Sequence, residues 1–126
     1  MTFNNDRPIY LQMAERLCDE ILAGTYKADS RIPSVREYAV MLQVNTNTAV
    51  KAYDELAQNG VIYNKRGLGY FVAPGAKTEI LRERKRKFMK DTLPEMFRQM
   101  KLLNITIDDV TEAWNSLKSE DNILRK

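Results

Sequence analysis

The stretch Ser34–Leu56, SVREYAVMLQVNTNTAVKAYDEL, constrains this chain more than any other. Val35, Tyr38, Ala39 and Leu42 fall at i, i+3, i+4 and i+7, the spacing of one apolar helix face. Ser34 followed by Glu37 is a capping box that marks where this helix starts. Ala49, Ala52, Tyr53 and Leu56 repeat the spacing. Asn45 is the expected N-cap of that second helix, with Val44 and Ala49 at staple positions. Only Gln43 and Val44 separate the two. Helices this short and this close, each apolar on one face, predict a helix-turn-helix.

The flanking segments fit around that pair. Residues 1–5 read as a loose start. Asp6-Arg7-Pro8 opens a first helix, because proline is tolerated in a first turn. Tyr10, Met13, Ala14, Leu17, Cys18 and Ile21 form its apolar stripe, and Gly24 ends it. Thr25–Arg31 is a polar connection. Ile32-Pro33 is extended and predicts a brief strand that pairs with a later hairpin. After Gly60 the period changes toward two. Val61–Lys65 and Tyr70–Val72 flank Arg66-Gly67-Leu68-Gly69 and predict a β-hairpin. A lone hairpin is marginal, so it must pack on the helices. Helix, short strand, helix-turn-helix and hairpin make a winged helix-turn-helix over residues 1–75, closed by the linker Ala73-Pro74-Gly75-Ala76.

Residues 76–126 read as helical. A long helix starts at Lys77 and is expected to kink or break near Leu93, ahead of Pro94. A second runs from Thr106 to about Leu117, and Ser119–Lys126 reads as a frayed tail. The fold class is therefore mainly α with a small β-hairpin, a winged helix-turn-helix followed by two C-terminal helices. Leu81, Phe88, Met89, Leu93, Met96, Phe97 and Met100 form a stripe on the first, and Ile107, Val110, Ala113, Trp114 and Leu117 on the second. Two helices cannot bury such stripes by themselves. A second copy of the chain is the expected cover, making this region a homodimerisation surface; packing inside one chain is the alternative.

Composition narrows the chemistry. The chain has no histidine and one cysteine, which excludes zinc sites, Cys/His pairs and Ser-His-Asp triads within a chain. Cys18 lies in a helical stripe and is expected to be a buried, inert thiol. The acidic pairs Asp19-Glu20, Asp54-Glu55 and Asp108-Asp109 fall on helix surfaces or first turns, where solvation and the helix dipole explain them. No enzyme, metal or cofactor is expected. No apolar run is long enough for a membrane span, and the N-terminus lacks a signal pattern, so a cytoplasmic protein is expected. The net charge of +3 points only weakly to nucleic acid. Residues 1–75 carry 8 Lys/Arg against 8 Asp/Glu, so a DNA-binding reading must rest on where the charges sit.

The second helix of the pair supplies the candidates. Thr46, Asn47 and Thr48 occupy its N-terminal turn, the end that enters a major groove in such motifs. Asn47 can bond an adenine edge, Val50 can meet a thymine methyl, and Lys51 can reach a guanine or a phosphate. Each is also readable as an ordinary exposed helix residue, and Val50 as a peripheral core position. Arg36 lies in the first turn of the preceding helix, where a cation opposes the dipole. That misplacement suggests an anionic or base partner; a salt bridge is the alternative. Lys65 and Arg66 are placed at the hairpin tip, beside Gly67 and Gly69. The basic run Arg82, Arg84, Lys85, Arg86, Lys87 and Lys90 reads by default as a solvated helix face.

PIYLQMAERLCDEILAGTY followed by RIPSVREYAVMLQVNTNTAVKAYDELAQNGVIYNKRGLGYFVA resembles the DNA-binding domain of GntR-family bacterial transcription regulators, from about Arg7 to Ala73. The short tail with LNITIDDVTEAWNSL resembles the YtrA-type branch. The resemblance implies a homodimer without a large effector domain and without pyridoxal phosphate. It places Ser34 and Arg36 in the family's PSVRE segment, with Arg36 at the base-contacting arginine. Asn45, Asn47 and Thr48 fit an Asn-x-Asn-Thr form, and Gly67 fits the wing glycine. Thr46 and Val50 stand where many members have arginine. Gln43 replaces the usual turn glycine, and Ala28-Asp29-Ser30 the usual Pro-Gly-acidic turn. A positive φ at Gln43 costs on the order of 1 kcal/mol relative to glycine.

The expected function is a transcription regulator, a repressor, binding a palindromic operator in double-stranded DNA. The DNA-binding set is Ser34, Arg36, Asn45, Thr46, Asn47, Thr48, Val50, Lys51, Lys65, Arg66 and Gly67. The rival is a winged helix that grips another polypeptide. No residue pattern specifies a small-molecule effector.

Overall fold

The computed structural model describes residues 3–124. Among them it has six α-helices and one two-stranded antiparallel sheet. The chain divides into two compact units, one running up to Arg84 and one beginning at Lys85.

In the first unit, helix α1 (Ile9–Leu22) starts one residue after Pro8. Pro8 is thus the cap outside the helix, not a residue of its first turn; its carbonyl accepts from the N–H groups of Leu11 (3.2 Å) and Gln12 (3.3 Å). The loose start is also corrected from residue 4 on. The buried Gln12 amide accepts from the Asn4 N–H (2.9 Å) and donates to the carbonyls of Asn4 (2.7 Å) and Arg7 (2.9 Å). Those bonds fasten the incoming chain to α1. Residues 1 and 2 lie outside the described residues. Gly24 follows the helix at φ 86°, as a helix stop requires.

Helix α2 (Val35–Leu42) opens with the expected box. The Ser34 hydroxyl accepts from the Glu37 N–H (3.1 Å), and the Glu37 carboxylate accepts from the Ser34 N–H (3.0 Å). These bonds hold the Glu37 carboxyl below its usual range. The helix ends at Gln43, whose φ of 56° is left-handed. Glycine has no side chain to strain there, so Gln43→Gly is expected to raise unfolding stability by about 1 kcal/mol, measured by urea titration.

Helix α3 (Thr46–Gln58) is capped by Asn45, whose side-chain oxygen accepts from the Asn47 N–H (2.8 Å). Strands β1 (Ile62–Lys65) and β2 (Gly69–Val72) pair Ile62 with Val72 and Lys65 with Gly69. The expected third strand is one isolated bridge, Arg31 with Phe71. It is flanked by bonds from the Ile32 N–H to the Tyr70 carbonyl (3.0 Å) and from the Val72 N–H to the Ser30 carbonyl (3.0 Å). Pro33 has no N–H to continue the ladder, so pairing stops there.

Met13, Leu17, Ile21, Tyr38, Tyr53, Leu56, Ile62 and Val72 meet in one core. Cys18 is buried beside them, and burial pushes its thiol up to about 11, away from reactive thiolate. Tyr53 joins three elements. Its ring lies 6.1 Å from Tyr38 of α2 and 5.1 Å, edge-on, from Tyr70 of β2, and its hydroxyl donates to the Pro33 carbonyl (2.5 Å). Tyr53→Phe leaves that carbonyl without its donor and is expected to cost about 1–3 kcal/mol, read from the denaturant midpoint.

The segment 73–76 is a turn, not a free linker. Helix α4 (Ala76–Lys87) begins at once, and its Ala76 and Ile80 are buried with the core of the first unit. Arg84 of α4 reaches Asp19 of α1 (2.7 Å).

In the second unit, a π-helical turn (Phe88–Thr92) leads into helix α5 (Leu93–Leu103). The expected disturbance ahead of Pro94 takes this form. Pro94 has no N–H, and its ring crowds the carbonyl four residues back. The wider turn accommodates it, with the Leu93 N–H bonding the Phe88 carbonyl five residues earlier. Asn104 closes α5 at φ 57°. Helix α6 (Ile107–Leu124) starts with a second reciprocal box. The Thr106 hydroxyl accepts from the Asp109 N–H (3.1 Å), and Asp109 accepts from the Thr106 N–H (3.0 Å). The frayed tail is corrected, because helix continues to Leu124. No glycine or proline lies between Leu117 and Leu124 to stop it. Residues 125 and 126 lie outside the described residues.

Candidate nucleic-acid interface

Every residue expected to meet a groove is at the surface of the first unit. Arg36, Asn45, Thr46, Asn47, Val50, Lys51, Lys65, Arg66 and Gly67 are exposed; Ser34 and Thr48 are half-buried. Ser34 and Asn45 have their side-chain oxygens committed to the caps of α2 and α3. They set where those helices begin, and with them the orientation of Arg36 and Asn47. Val50 is 41% exposed, which removes its alternative reading as a peripheral core residue.

Arg36 forms no ion pair among the described residues, so the salt-bridge alternative falls. The contrast with α1 is instructive. There Arg7 pairs with Glu15, Arg16 with Glu20 (3.5 Å), and Arg84 reaches across to Asp19. Arg82 on α4 pairs with Glu79. The cations of α2, α3 and the hairpin are left without counter-charges: Arg36, Lys51, Lys65 and Arg66 have no ion pair among the described residues. Lys27, Arg31 and Lys77, elsewhere on the unit, share that state. The equal totals of residues 1–75 conceal this difference: Glu15, Asp19 and Glu20 of α1 are in ion pairs and Glu37 is in a cap, while Asp54 and Glu55, on α3 itself, form no ion pair with Lys51 among the described residues.

Two lysines are steered by rings. The Lys51 ammonium lies 5.8 Å from the centre of the Tyr10 ring of α1. Lys65 is the last residue of β1, not part of the turn, and its ammonium lies 4.7 Å from the Phe71 ring centre. The tip proper is Arg66-Gly67-Leu68, closed by the Leu68 N–H bonding the Lys65 carbonyl (2.8 Å), with Gly67 at φ 79°. Sequence reasoning missed Arg31, which borders the hairpin through its bridge to Phe71. No local pattern signals that, because the partner lies far along the chain.

The apolar residues of the C-terminal helices are open in the single chain. Leu81, Phe88, Met96, Phe97, Trp114 and Leu117 are exposed, and Leu93 and Val110 half-buried. Met100 departs from the expected pattern: it is already buried, at 7% exposure, without a second copy. Leu102 and Leu103 are exposed apolar residues outside the stripes read from periodicity. No helix among the described residues is long and apolar enough to cross a membrane.

Comparison with known proteins bears on this arrangement. The family described as "Bacterial regulatory proteins, gntR family" matches residues 9–72, from the start of α1 to the end of β2. The HTH-type transcriptional regulator YhcF of Bacillus subtilis is 34% identical over 111 residues, covering 88% of this chain and 90% of YhcF. The HTH-type transcriptional repressor YtrA of the same organism is 32% identical, covering 90% of this chain and 86% of YtrA. A crystal structure described as a GntR-family transcriptional regulator of Bacteroides thetaiotaomicron is 46% identical with a TM-score of 0.81, covering 90% of this chain and 98% of that one. AraR(DBD) in complex with operator ORX1 aligns at 30% identity and a TM-score of 0.54, over 57% of this chain and 93% of its own. The chain belongs to the GntR family of bacterial regulatory proteins, as a transcription regulator carrying that family's DNA-binding domain.

Proposed function

We propose that the protein is a cytoplasmic repressor that binds a palindromic operator as a homodimer. Residues 1–75 read DNA and residues 76–126 pair the subunits. The observation that carries this reading is the pairing of charge: Arg7, Arg16 and Arg84 are paired with carboxylates of α1, whereas Arg36, Lys51, Lys65 and Arg66 are exposed and form no ion pair among the described residues. A polyanion is the natural counterpart of such a surface. The exposed N-terminal turn of α3, with Thr46, Asn47 and Thr48, supplies hydrogen-bonding groups of the kind that read base edges. The name of YtrA, a repressor, supports the direction of regulation, and AraR(DBD) supports an operator duplex as the ligand.

The pairing of subunits rests on the open apolar side chains of α5 and α6. Phe97, Trp114 and Leu117 are 40–56% exposed, more large apolar surface than a lone soluble helix pair ordinarily leaves in water. Two subunits related by a two-fold axis would present two α3 helices to successive half-sites. The test is a gel shift with the DNA upstream of the protein's own gene, together with sedimentation. A shifted band that weakens with salt, from a dimer, supports the reading. A monomer that ignores every duplex at low ionic strength ends it and leaves the polypeptide-gripping alternative.

A further inference from the structure

The hairpin carries a feature on its outward face. Residues opposite one another in an antiparallel ladder share a face, and so do residues two apart on one strand. Tyr63 is opposite Phe71, Lys65 is opposite Gly69, and Arg31 is bridged to Phe71 from the other edge. Arg31, Phe71, Tyr63 and Lys65 therefore share one face, with Gly69 as the gap in it. The Tyr63 and Phe71 rings stack there at 5.8 Å, and the Lys65 ammonium rides on them.

Arg31 fills the gap. A Cβ on Gly69 would lie 3.3 Å from Arg31 Nε, 3.7 Å from Nη2 and 3.9 Å from Cζ. The guanidinium thus lies against bare backbone, where a side chain at position 69 would crowd it. Gly69 is also at φ 105°, where a side chain would be strained in any case. The carboxylates nearby are otherwise engaged. Asp29 accepts from the Tyr63 hydroxyl (2.8 Å), and Glu37 is held in the α2 capping box. Arg31 is near enough to help keep the Glu37 carboxyl low, yet it forms no ion pair among the described residues. An arginine seated on the sheet and lacking a counter-ion has already surrendered much of the freedom that binding would otherwise remove. Its planar fork suits two oxygens of one phosphate.

We propose that Arg31 is a phosphate-binding residue of this regulator, gripping the sugar-phosphate backbone of the duplex together with Lys65 across the face that Gly69 keeps open. This rests on the DNA-binding reading above and adds to it a residue from outside both the helix-turn-helix and the hairpin.

The experiment is a set of anisotropy titrations of the full chain over a range of salt. The probes are the duplex from upstream of its own gene and a random duplex of equal length. Arg31→Gln is expected to weaken both by the same factor, roughly 3- to 10-fold, and to reduce the slope of log affinity against log salt by about one. Arg31→Lys is expected to restore the slope, because it keeps the charge. A purely structural role would lower the melting temperature of Arg31→Gln and leave the slope intact, which overturns the assignment. A loss confined to the upstream duplex would make Arg31 a base-reading residue and also overturn it. If Arg31→Gln matches the unsubstituted protein while that protein binds, the inference fails and DNA binding survives. If the unsubstituted protein binds neither duplex, the functional reading fails, and this inference with it.

Discussion

Replacing Arg36 with alanine is expected to reduce operator affinity by roughly 10- to 100-fold while reducing affinity for random DNA only a few-fold. The asymmetry is what gives the experiment its force. A residue that holds phosphate loses its contribution on every sequence, whereas one that bonds a base edge loses it only where that base is present. Arg36 is exposed, has no ion pair among the described residues, and projects from the first turn of α2 against the local dipole. Its removal should therefore leave the fold intact, and the melting temperature should hold or rise slightly. Titration of the two duplexes at one salt concentration measures the ratio. Equal losses on both would transfer Arg36 to the phosphate-binding group.

The second large effect is expected in the tail. Trp114 and Leu117 lie on one side of α6 and are 56% and 51% exposed in the single chain. Replacing both with aspartate should cost the folded subunit little, because neither is enclosed within it. It should destroy an apolar seam between copies, since each charge would have to be buried against its symmetry mate. Sedimentation is expected to give the mass of one chain. Operator affinity is then expected to fall on the order of 100-fold or more, because two linked half-site contacts become one. Circular dichroism is expected to show that the helices persist. A double variant that still sediments as a dimer would place the subunit contact elsewhere.

These expectations draw on different amounts of sequence information. The helix-turn-helix was legible because its signals are local: Ser34 and Glu37 three apart, Asn45 before the next stripe, Gly24 and Gly60 after helix ends. The left-handed turn at Gln43 was legible only because the family usually has glycine there. What escaped the sequence depends on partners distant along the chain. Gln12 fastens Asn4 through bonds that no periodicity encodes. Arg31 meets Gly69 only after the hairpin has folded back. Pro94 announced a disturbance, but whether the helix would break or widen depended on how the preceding turn could rearrange. Helix α6 runs to Leu124, past the last residue of its apolar stripe at Leu117. Helical hydrogen bonding needs no stripe where neither glycine nor proline intervenes.

The ion pairs along α1 have a consequence for the kinetics of encounter. A polyelectrolyte drifting toward that side of the first unit meets cations whose fields are cancelled at short range by Glu15, Asp19 and Glu20. Approaching Arg36, Lys51 or Arg66, a polyanion meets fields that extend about a Debye length into solution, roughly 10 Å at 0.1 M salt. Diffusing molecules are thereby turned before they touch, and fewer collisions are wasted in the wrong orientation.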